Sequence, residues 1–552
     1  MLIYQLLPRL YGNTCCANVP HGTLAENGCG KLADLTTARL GRLRRTGYTH
    51  LWLTGLIAHA TTTDRSAYGL PADHPTVVKG RAGSPYAIRD YYDIDADLAT
   101  DVGQRMAEFE ALLARIHQTG LKCLIDFVPN HTARRYHSTT APEGTRDLGA
   151  DDDSTQAFAP HNNYYYCPGE PLHTDAFASA SDTPYDEQPA RATGNDCYHA
   201  APSADDWYET AKLNYGIDHR DGSHHFVPVP DTWRKMTAIL HFWAAKGVDG
   251  FRCDMAEMVP ADFWHYAIAS VKAVYPDLTF IAEIYSPDAY RHYLHYGGFD
   301  YLYDKVGLYD TLRAVVCGHA PANAITLCWQ RVDDIRDRML YFLENHDEQR
   351  IASDFYAADA TPARPALAVA ALMGRNPLMV YAGQEVGERG MDAEGFSGAD
   401  GRTTIFDYWS PDALRRLFLG RQHLKRAERD LCAYYDAVLA LRRSRPVAEG
   451  KSFDLMYANT DGSDGFDPHR HYAFLRASDD EALLVVANFS NACRTIGVRL
   501  PAHAFDYLGL PTGTFRATDC LTGASVSLDM RRDGCTFIYI RPHSATLLSW
   551  HF

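Results

Sequence analysis

Four apolar segments of the chain each end in polar residues that are costly to bury. In chain order they are LKCLIDFVPNH, KGVDGFRCD, LTFIAEIY and RMLYFLENHD. Each has the pattern of a buried strand with charged residues at its C-terminal end. The C-terminal ends of parallel strands meet at one face of a (β/α)8 barrel, where this fold builds its active sites. The pattern therefore predicts that Asp254, Glu283 and Asp347 converge on one cleft.

The rhythm of apolar residues predicts an α/β chain with three parts. Helices that end at glycine alternate with short strands, as in AEFEALLARIHQTG before LKCLIDFVPNH, and this predicts a catalytic (β/α)8 TIM barrel over 1–132 and 207–445. Residues 133–206 have little periodicity, and a stretch this long is expected to be an inserted subdomain after the third strand. Residues 446–552 contain short, often alternating runs, which predict a C-terminal antiparallel β-sandwich.

Composition and charge limit the classes of partner. The formal net charge is −16, which argues against nucleic acid and against anionic membranes. No apolar run approaches the roughly 20 residues that span a bilayer. A neutral polysaccharide is indifferent to the charge. We therefore expect no nucleic-acid partner and no membrane.

The N-terminal sequence and the cysteines bear on location. MLIYQLLPRLYGN has neither a basic region nor a small-residue cleavage site, so it does not predict a signal peptide. Thirteen cysteines is an odd number, and there is no CxxC pair. Reduced thiols are the simplest interpretation, which favours a cytoplasmic protein as the sequence is written. An exported protein whose signal has been trimmed would have the same features.

Each of the three carboxylates could have a structural role instead of a catalytic one. Asp254 precedes a segment that could be helical, so it could be a helix cap. Against this, Arg252 lies two residues earlier on the same side of the strand, and a guanidinium favours the ionised form that a nucleophile needs. Glu283 could belong to a structural ion pair, but its apolar flanks suit a general acid. Asp347 follows His346, and such a pair is more often structural when it stands alone.

Together the four segments resemble the four sequence regions of the α-amylase family, glycoside hydrolase family 13. SPYAIRDYYDID (Ser84–Asp95) resembles the stretch before the family's first region, and AKLNYG (Ala211–Gly216) resembles its fifth. The resemblance covers nearly the whole chain, because barrel, insertion and C-terminal domain fall in the family's order. All six motifs in order are far more specific than any one of them.

The resemblance implies roles for the three carboxylates. Asp254 is expected to attack the anomeric carbon and form a glycosyl ester. Glu283 is expected to protonate the departing oxygen and then to activate water or a sugar hydroxyl. Asp347 is expected to hold ring hydroxyls in the transition state. Two displacements retain the anomeric configuration, and such enzymes hold the nucleophile and the acid about 5–5.5 Å apart.

The resemblance also implies a set of substrate-binding residues. Arg252 would orient the nucleophile, His131 and His346 would contact the sugar, and Tyr86 would stack beneath it. In the insertion, YYYC (Tyr164–Cys167) and DWYE (Asp206–Glu209) could supply stacking platforms, although packing of the subdomain's own core is at least as common a use.

The sequence departs from the family's pattern just after the nucleophile. Typical amylases carry a Lys-His pair there, whereas this chain has Glu257 and Met258. This puts standard endo-amylase subsites in doubt, and Glu257 is reminiscent of enzymes that act on cyclodextrins and short maltodextrins. The family's calcium site would use Asn130 and the carbonyl of Met258, so a structural calcium ion is allowed, but no acidic ligands are identifiable. The chemistry itself requires no cofactor.

These observations predict a retaining hydrolase that cleaves α-1,4-glucosidic bonds in starch, glycogen or maltodextrins. A 4-α-glucanotransferase or a cyclomaltodextrinase/neopullulanase-like enzyme is the nearest alternative, since it would use the same catalytic residues. A non-catalytic glucan-binding scaffold on the same fold is the remote alternative, and such a protein should lack at least one of the three carboxylates.

Overall fold

Eight parallel strands form a closed barrel in the computed structural model, which describes residues 1–177, 183–391 and 398–552. The first strand pairs with both the second and the eighth, which closes the ring. In chain order the barrel strands are Leu2–Leu6, His50–Leu53, Lys122–Phe127, Gly250–Cys253, Thr279–Ala282, Tyr301–Tyr303, Met339–Phe342 and Leu378–Tyr381. We refer to them below by this order.

The strands are apolar on both faces because both faces are covered. Inside the barrel, Ile3, Trp52, Leu124, Ile281 and Met379 are buried in one cluster. The outward side chains pack in a second and larger core with the surrounding helices. Parallel sheets that are buried on both sides have this continuous apolar pattern, which is why the strands could be recognised in the sequence.

Amphipathic helices surround the barrel and follow the predicted alternation. Gly47 and Gly247 end two of them in the left-handed conformation, with φ of 119° and 97°, where other residues are strained. The helices of seven or more residues in the barrel part are Thr37–Thr46, Arg105–Gln118, Asp231–Lys246, Ala261–Val274, Asp310–Val316, Ala324–Gln330, Arg364–Leu372, Asp412–Leu419 and Arg426–Ala440.

A long connection between the third and fourth barrel strands has its own small antiparallel pairs. His131–Ala133 pairs with Thr210–Lys212, and Tyr166–Cys167 pairs with Ala190–Arg191. Buried Arg134 donates to Glu187 at 2.7 Å and ties the two pairs together. The predicted inserted subdomain, residues 133–206, lies between the strands of the first pair, and its exact limits stay a prediction.

The C-terminal part consists of antiparallel sheets. Six strands are ordered Lys451–Asp454, His471–Ala477, Glu481–Asn488, Ser544–His551, Gly513–Asp519 and Ser525–Met530 across one sheet. Arg494–Leu500 and Gly534–Ile540 form a second sheet of two strands. The barrel helix Arg364–Leu372 packs against the larger sheet. The predicted fold class, a TIM barrel followed by antiparallel strands, is confirmed.

One C-terminal strand was not predicted. Lys451–Asp454 lies at the edge of the larger sheet and is mostly half-buried, so its sequence lacks a clear alternation of apolar and polar residues. Within the described residues, no helix is both long enough and apolar enough to cross a membrane. The thirteen cysteines are all free thiols.

Candidate active site

The C-terminal ends of three barrel strands bring the predicted carboxylates to one pocket. Asp254 directly follows the fourth strand, Glu283 directly follows the fifth, and Asp347 lies in the loop after the seventh. All three line a pocket of about 330 Å³, and Tyr86 and His131 line it as well. The three carboxylates therefore converge on one pocket, as the sequence predicts.

A single buried guanidinium joins two of these carboxylates. Arg252, on the fourth strand, donates to Asp254 Oδ1 at 2.6 Å, and its other terminal nitrogen lies 2.9 Å from Glu283 Oε2. Its side chain is only 1% exposed. Because the fork of a guanidinium is planar and rigid, its hydrogen bond fixes the orientation of Asp254, while Glu283 is held beside it as an ion pair. This arrangement is the ion pair expected from the sequence, extended to the second carboxylate.

Both oxygens of Glu283 have donors. The backbone N–H of Met255 donates to Oε2 at 2.8 Å, and the hydroxyl of Tyr285 donates to Oε1 at 2.6 Å. Met255 adopts a left-handed conformation with φ of 43°, an uncommon state that is a feature of strained functional sites. The sequence analysis missed Tyr285. Its signal was its position two residues after Glu283, on the same side of the extended chain.

Asp347 faces the pocket, and no guanidinium among the described residues pairs with it. Its side chain is 40% exposed, and Oδ2 lies 3.1 Å from His346 Nε2. Burial within the surrounding protein and the negative charge of Glu283 raise the pKa of Asp347 to about 7. Burial also raises the pKa of Asp254, which the Arg252 guanidinium opposes.

His346 is held as a neutral imidazole. Burial, together with the positive charge of Arg252, lowers its pKa well below the usual value. Its Nδ1 lies 2.9 Å from Gln5 Nε2, and the ring of Tyr86 stacks on it at 5.2 Å between centroids. Because the amide nitrogen of Gln5 can only donate, Nδ1 accepts and Nε2 carries the proton. Nε2 contacts both the Tyr86 hydroxyl and Asp347 Oδ2. Gln5 lies inside an apolar strand and has no local pattern that marks it as a site residue.

The inserted segment supplies a further aromatic wall. Burial, together with the positive charge of Lys212, lowers the pKa of His131 to about 3. The half-buried Trp207 packs edge-on against His131 at 5.4 Å and lines the pocket. Of the two tyrosine-rich motifs, Trp207 is thus placed for stacking on a ligand. Tyr164 and Tyr165 are buried and serve packing instead.

A second lobe of the cleft adjoins the first. It has a volume of about 370 Å³ and shares Tyr285 and Asp347 with the first lobe. Lys305, Glu348 and Arg402 give it a polar lining. The carboxylates therefore lie between two spaces, each with polar and aromatic groups of the kind that bind sugars.

The surroundings of Asn130 do not fit a calcium ion. The side-chain oxygen of Asn130 accepts a hydrogen bond from the Lys212 ammonium at 2.5 Å, and the same ammonium pairs with Asp196 at 2.8 Å. A cation of the protein's own thus occupies the position next to the expected ligand oxygen. Across the described residues, no group of three or more His, Cys, Asp or Glu side chains could hold a metal ion.

Glu257, where the sequence departs from typical amylases, does not line either lobe of the cleft. Its carboxylate accepts a hydrogen bond from the backbone N–H of Ser286 at 3.1 Å. The side chain thus fastens the loop after the fifth strand, next to Tyr285.

Comparison with known proteins identifies the family. The model of the alpha-amylase catalytic domain matches residues 5–423. Because this match covers most of the chain, the protein belongs to the alpha-amylase family of glycoside hydrolases.

Relatives and solved structures agree with this assignment. Alpha-amylase MalA of Haloarcula japonica is 27% identical over 90% of this chain, and the chain spans 58% of that relative's length. The human amino acid transporter heavy chain SLC3A1 is 27% identical over 42% of this chain and 28% of its own length. The maltogenic alpha-amylase AmyB of Thermotoga neapolitana has the same fold, with a TM-score of 0.63, 19% identity, and coverage of 100% of this chain and 99% of that one.

The raised pKa of Asp347 predicts a pH-dependent gain in stability for Asp347→Asn. In the folded protein this carboxyl keeps its proton up to about pH 7, whereas in the unfolded chain it ionises near its ordinary value of 3.8. The associated stability is therefore present below pH 3.8 and is lost as the pH rises through 7. Asparagine cannot ionise and avoids this loss. Because the side chain is 40% exposed, we expect a discounted gain of about 1 kcal/mol at pH 8 and little gain at pH 4.

Chemical denaturation of Asp347→Asn and the unmutated protein at both pH values measures this difference. Asp479→Asn, a change at a fully exposed side chain, is the matched control and should show no pH-dependent gain. A difference for Asp347→Asn that is the same at pH 4 and pH 8 would contradict the prediction.

The Lys212 ammonium predicts that divalent cations do not stabilise the fold. Removal of calcium with a chelator should leave the thermal midpoint unchanged to within about 1 °C, because the ligand oxygens near Asn130 are already paired. Added calcium should have no specific effect beyond that of magnesium at equal concentration. A midpoint that falls on chelation and recovers only with calcium would reverse this conclusion.

Proposed function

We propose that this chain is a retaining α-glucan hydrolase that cleaves α-1,4-glucosidic bonds in starch, glycogen or maltodextrins. The observation that carries the proposal is the single guanidinium of Arg252 in contact with both Asp254 and Glu283, with Asp347 in the same pocket. Retaining glycosidases need a nucleophile and an acid that are close together. Two carboxylates held by one guanidinium meet that need.

In the first step, Asp254 attacks the anomeric carbon as Glu283 gives its proton to the glycosidic oxygen. The bond to the leaving chain breaks, and a glycosyl ester forms on Asp254. Because Arg252 holds Oδ1, the other oxygen of Asp254 is the one that attacks. In the second step, Glu283 takes a proton from water, the oxygen of that water bonds to the anomeric carbon, and the carboxylate of Asp254 is released.

The remaining pocket residues suit recognition of one sugar ring. Tyr86 offers an aromatic surface, His131 and His346 offer ring nitrogens, and Asp347 accepts from ring hydroxyls. Asp347 also places a negative charge where the ring becomes positive in the transition state. Neutral imidazoles suit hydrogen bonds with hydroxyl groups.

A 4-α-glucanotransferase or a cyclomaltodextrinase-like enzyme is the second candidate. The observation in its favour is the polar second lobe, which shares Tyr285 with the catalytic pocket and has room for an acceptor sugar. The two reactions differ only in whether water or a sugar hydroxyl resolves the ester.

A non-catalytic glucan-binding scaffold is the third candidate function. The relative named as a transporter heavy chain means that likeness to this family does not by itself identify an enzyme. All three carboxylates are present in this chain with Arg252 between two of them, and this favours catalysis.

For location, the free thiols favour action in a reducing compartment such as the cytoplasm. Two of them, Cys123 and Cys253, are buried in barrel strands, where they act as small apolar residues.

A time course of products from maltoheptaose tests the proposed function. We expect glucose and short maltooligosaccharides without products longer than the substrate. Asp254→Asn should lose activity by about 10³-fold or more, because no ester can form. Asp479→Asn, the same change at an exposed site of the C-terminal part, should keep full activity. Products longer than maltoheptaose would favour the transferase over the hydrolase. No turnover in the unmutated protein would favour the non-catalytic scaffold.

The hydrogen bond from Tyr285 predicts a loss of turnover when it is removed. Tyr285→Phe takes away the hydroxyl that donates to Oε1 of Glu283, and kcat should fall by about tenfold with little change in KM. Tyr507→Phe, at an exposed C-terminal tyrosine, is the control and should keep the normal kcat. A raised KM with an unchanged kcat would mean that Tyr285 binds sugar without acting on Glu283.

A further inference from the structure

A pocket on the opposite face of the barrel is lined by three arginines. It has a volume of about 220 Å³ and lies where Leu2 and Thr49 mark the starts of the first two strands. Arg375 comes from the loop before the eighth strand, and Arg442 and Arg443 come from the end of the last barrel helix. No aspartate or glutamate is among the described residues that line this pocket.

Most of the positive charge here has no carboxylate partner. Arg375 pairs with Asp337 at 3.1 Å, and its side chain is 55% exposed. Among residues 1–177, 183–391 and 398–552, no carboxylate forms an ion pair with Arg442 or Arg443. Arg442 donates instead to the backbone carbonyls of Ala371 and Asn376. These bonds satisfy donors but do not neutralise the charge.

A fourth arginine adds to the local field. Arg476, on the second strand of the larger C-terminal sheet, is 2% exposed and donates to the carbonyls of Met373, Pro446 and Val447. Burial lowers its pKa to about 10, and the charges of Arg375 and Arg442 contribute, so these groups lie close enough to repel one another. Arginine side chains keep their positive charge in proteins. A cluster of cations beside a concave, partly buried surface concentrates positive potential there.

We propose that this pocket, defined by Arg375, Arg442 and Arg443, binds a phosphate or a phosphate monoester. The guanidinium fork matches the oxygens of a phosphate in paired, charge-assisted hydrogen bonds. The pocket's volume admits a phosphate group with part of an attached sugar. Arg443 is exposed and forms no ion pair with the described residues, so it can turn toward an anion without breaking a salt bridge.

The site would join the barrel to the C-terminal part. Val447 and Ala448 line the pocket, and the neighbouring carbonyls of Pro446 and Val447 are held by Arg476 of the C-terminal sheet. An anion bound among the three arginines would lower their mutual repulsion at this junction. The proposal therefore includes a stabilising effect, and it does not depend on the reaction assigned to the catalytic cleft.

Titration calorimetry of the full chain with inorganic phosphate, at an ionic strength kept constant with potassium chloride, tests the site. We expect one bound phosphate per chain and a thermal midpoint that rises with phosphate but not with chloride. Arg443→Ala should weaken binding by about tenfold or more, and Arg443→Lys by less, because lysine keeps the charge but loses the fork. Arg445→Ala is the matched control, since Arg445 pairs with Asp480 and lies outside the pocket.

The calorimetric results distinguish phosphate binding at this pocket from binding elsewhere or no binding. Saturable binding that Arg443→Ala weakens and Arg445→Ala does not would support the site. Tighter binding of glucose 1-phosphate than of inorganic phosphate would identify a sugar phosphate as the ligand, and equal binding would identify the free anion. No saturable heat with phosphate, or binding that Arg443→Ala leaves unchanged in a variant with the normal midpoint in chloride, would overturn the proposal.

Discussion

The buried guanidinium of Arg252 is the interaction on which the rest of the active site depends. Asp254 and Glu283 are almost fully buried, and burial of an isolated carboxylate is prohibitively costly unless it is paired. Arg252 contacts both and lies 3.8 Å from a third carboxylate, Asp126. The rings of Trp52 and Tyr303 pack against its guanidinium, and their centroids lie 5.4 and 5.3 Å from Arg252 Cζ. A lysine could not hold two carboxylates in one plane, so the chemistry of the pocket requires this residue type.

One positive charge does not balance the carboxylates around it. Within the described part of the chain Asp347 pairs with no guanidinium, and burial, followed by the negative charge of Glu283, raises its pKa to about 7. The reacting sugar ring gains positive charge in the transition state, so the unbalanced negative charge is most useful at that moment. The same charge costs stability in the free protein. Sites of this kind commonly trade folding stability for activity.

The sequence predicted the residues whose environment is local and left out those that are brought in by the fold. Asp254 and Glu283 directly follow apolar strands, and a strand end marks its own position in the sequence. Gln5 lies 341 residues from His346, and Lys212 lies 82 residues from Asn130, so neither contact has a local signature. The same holds for the environment of the expected calcium ligand. Asn130 has the residue type of a ligand, and only the fold reveals that an ammonium already occupies its oxygen.

The arginine pocket on the far face places a cluster of positive charge on a protein whose net charge is negative. With a formal charge of −16 the protein as a whole repels anions. At physiological ionic strength, however, exposed charges are screened beyond about 8 Å. An anion in the pocket therefore responds mainly to the arginines that line it and to buried Arg476, which is screened less. The backbone carbonyls that hold Arg442 and Arg476 fix these cations in place without cancelling them, which is the condition under which a cluster of like charges stays available to a ligand.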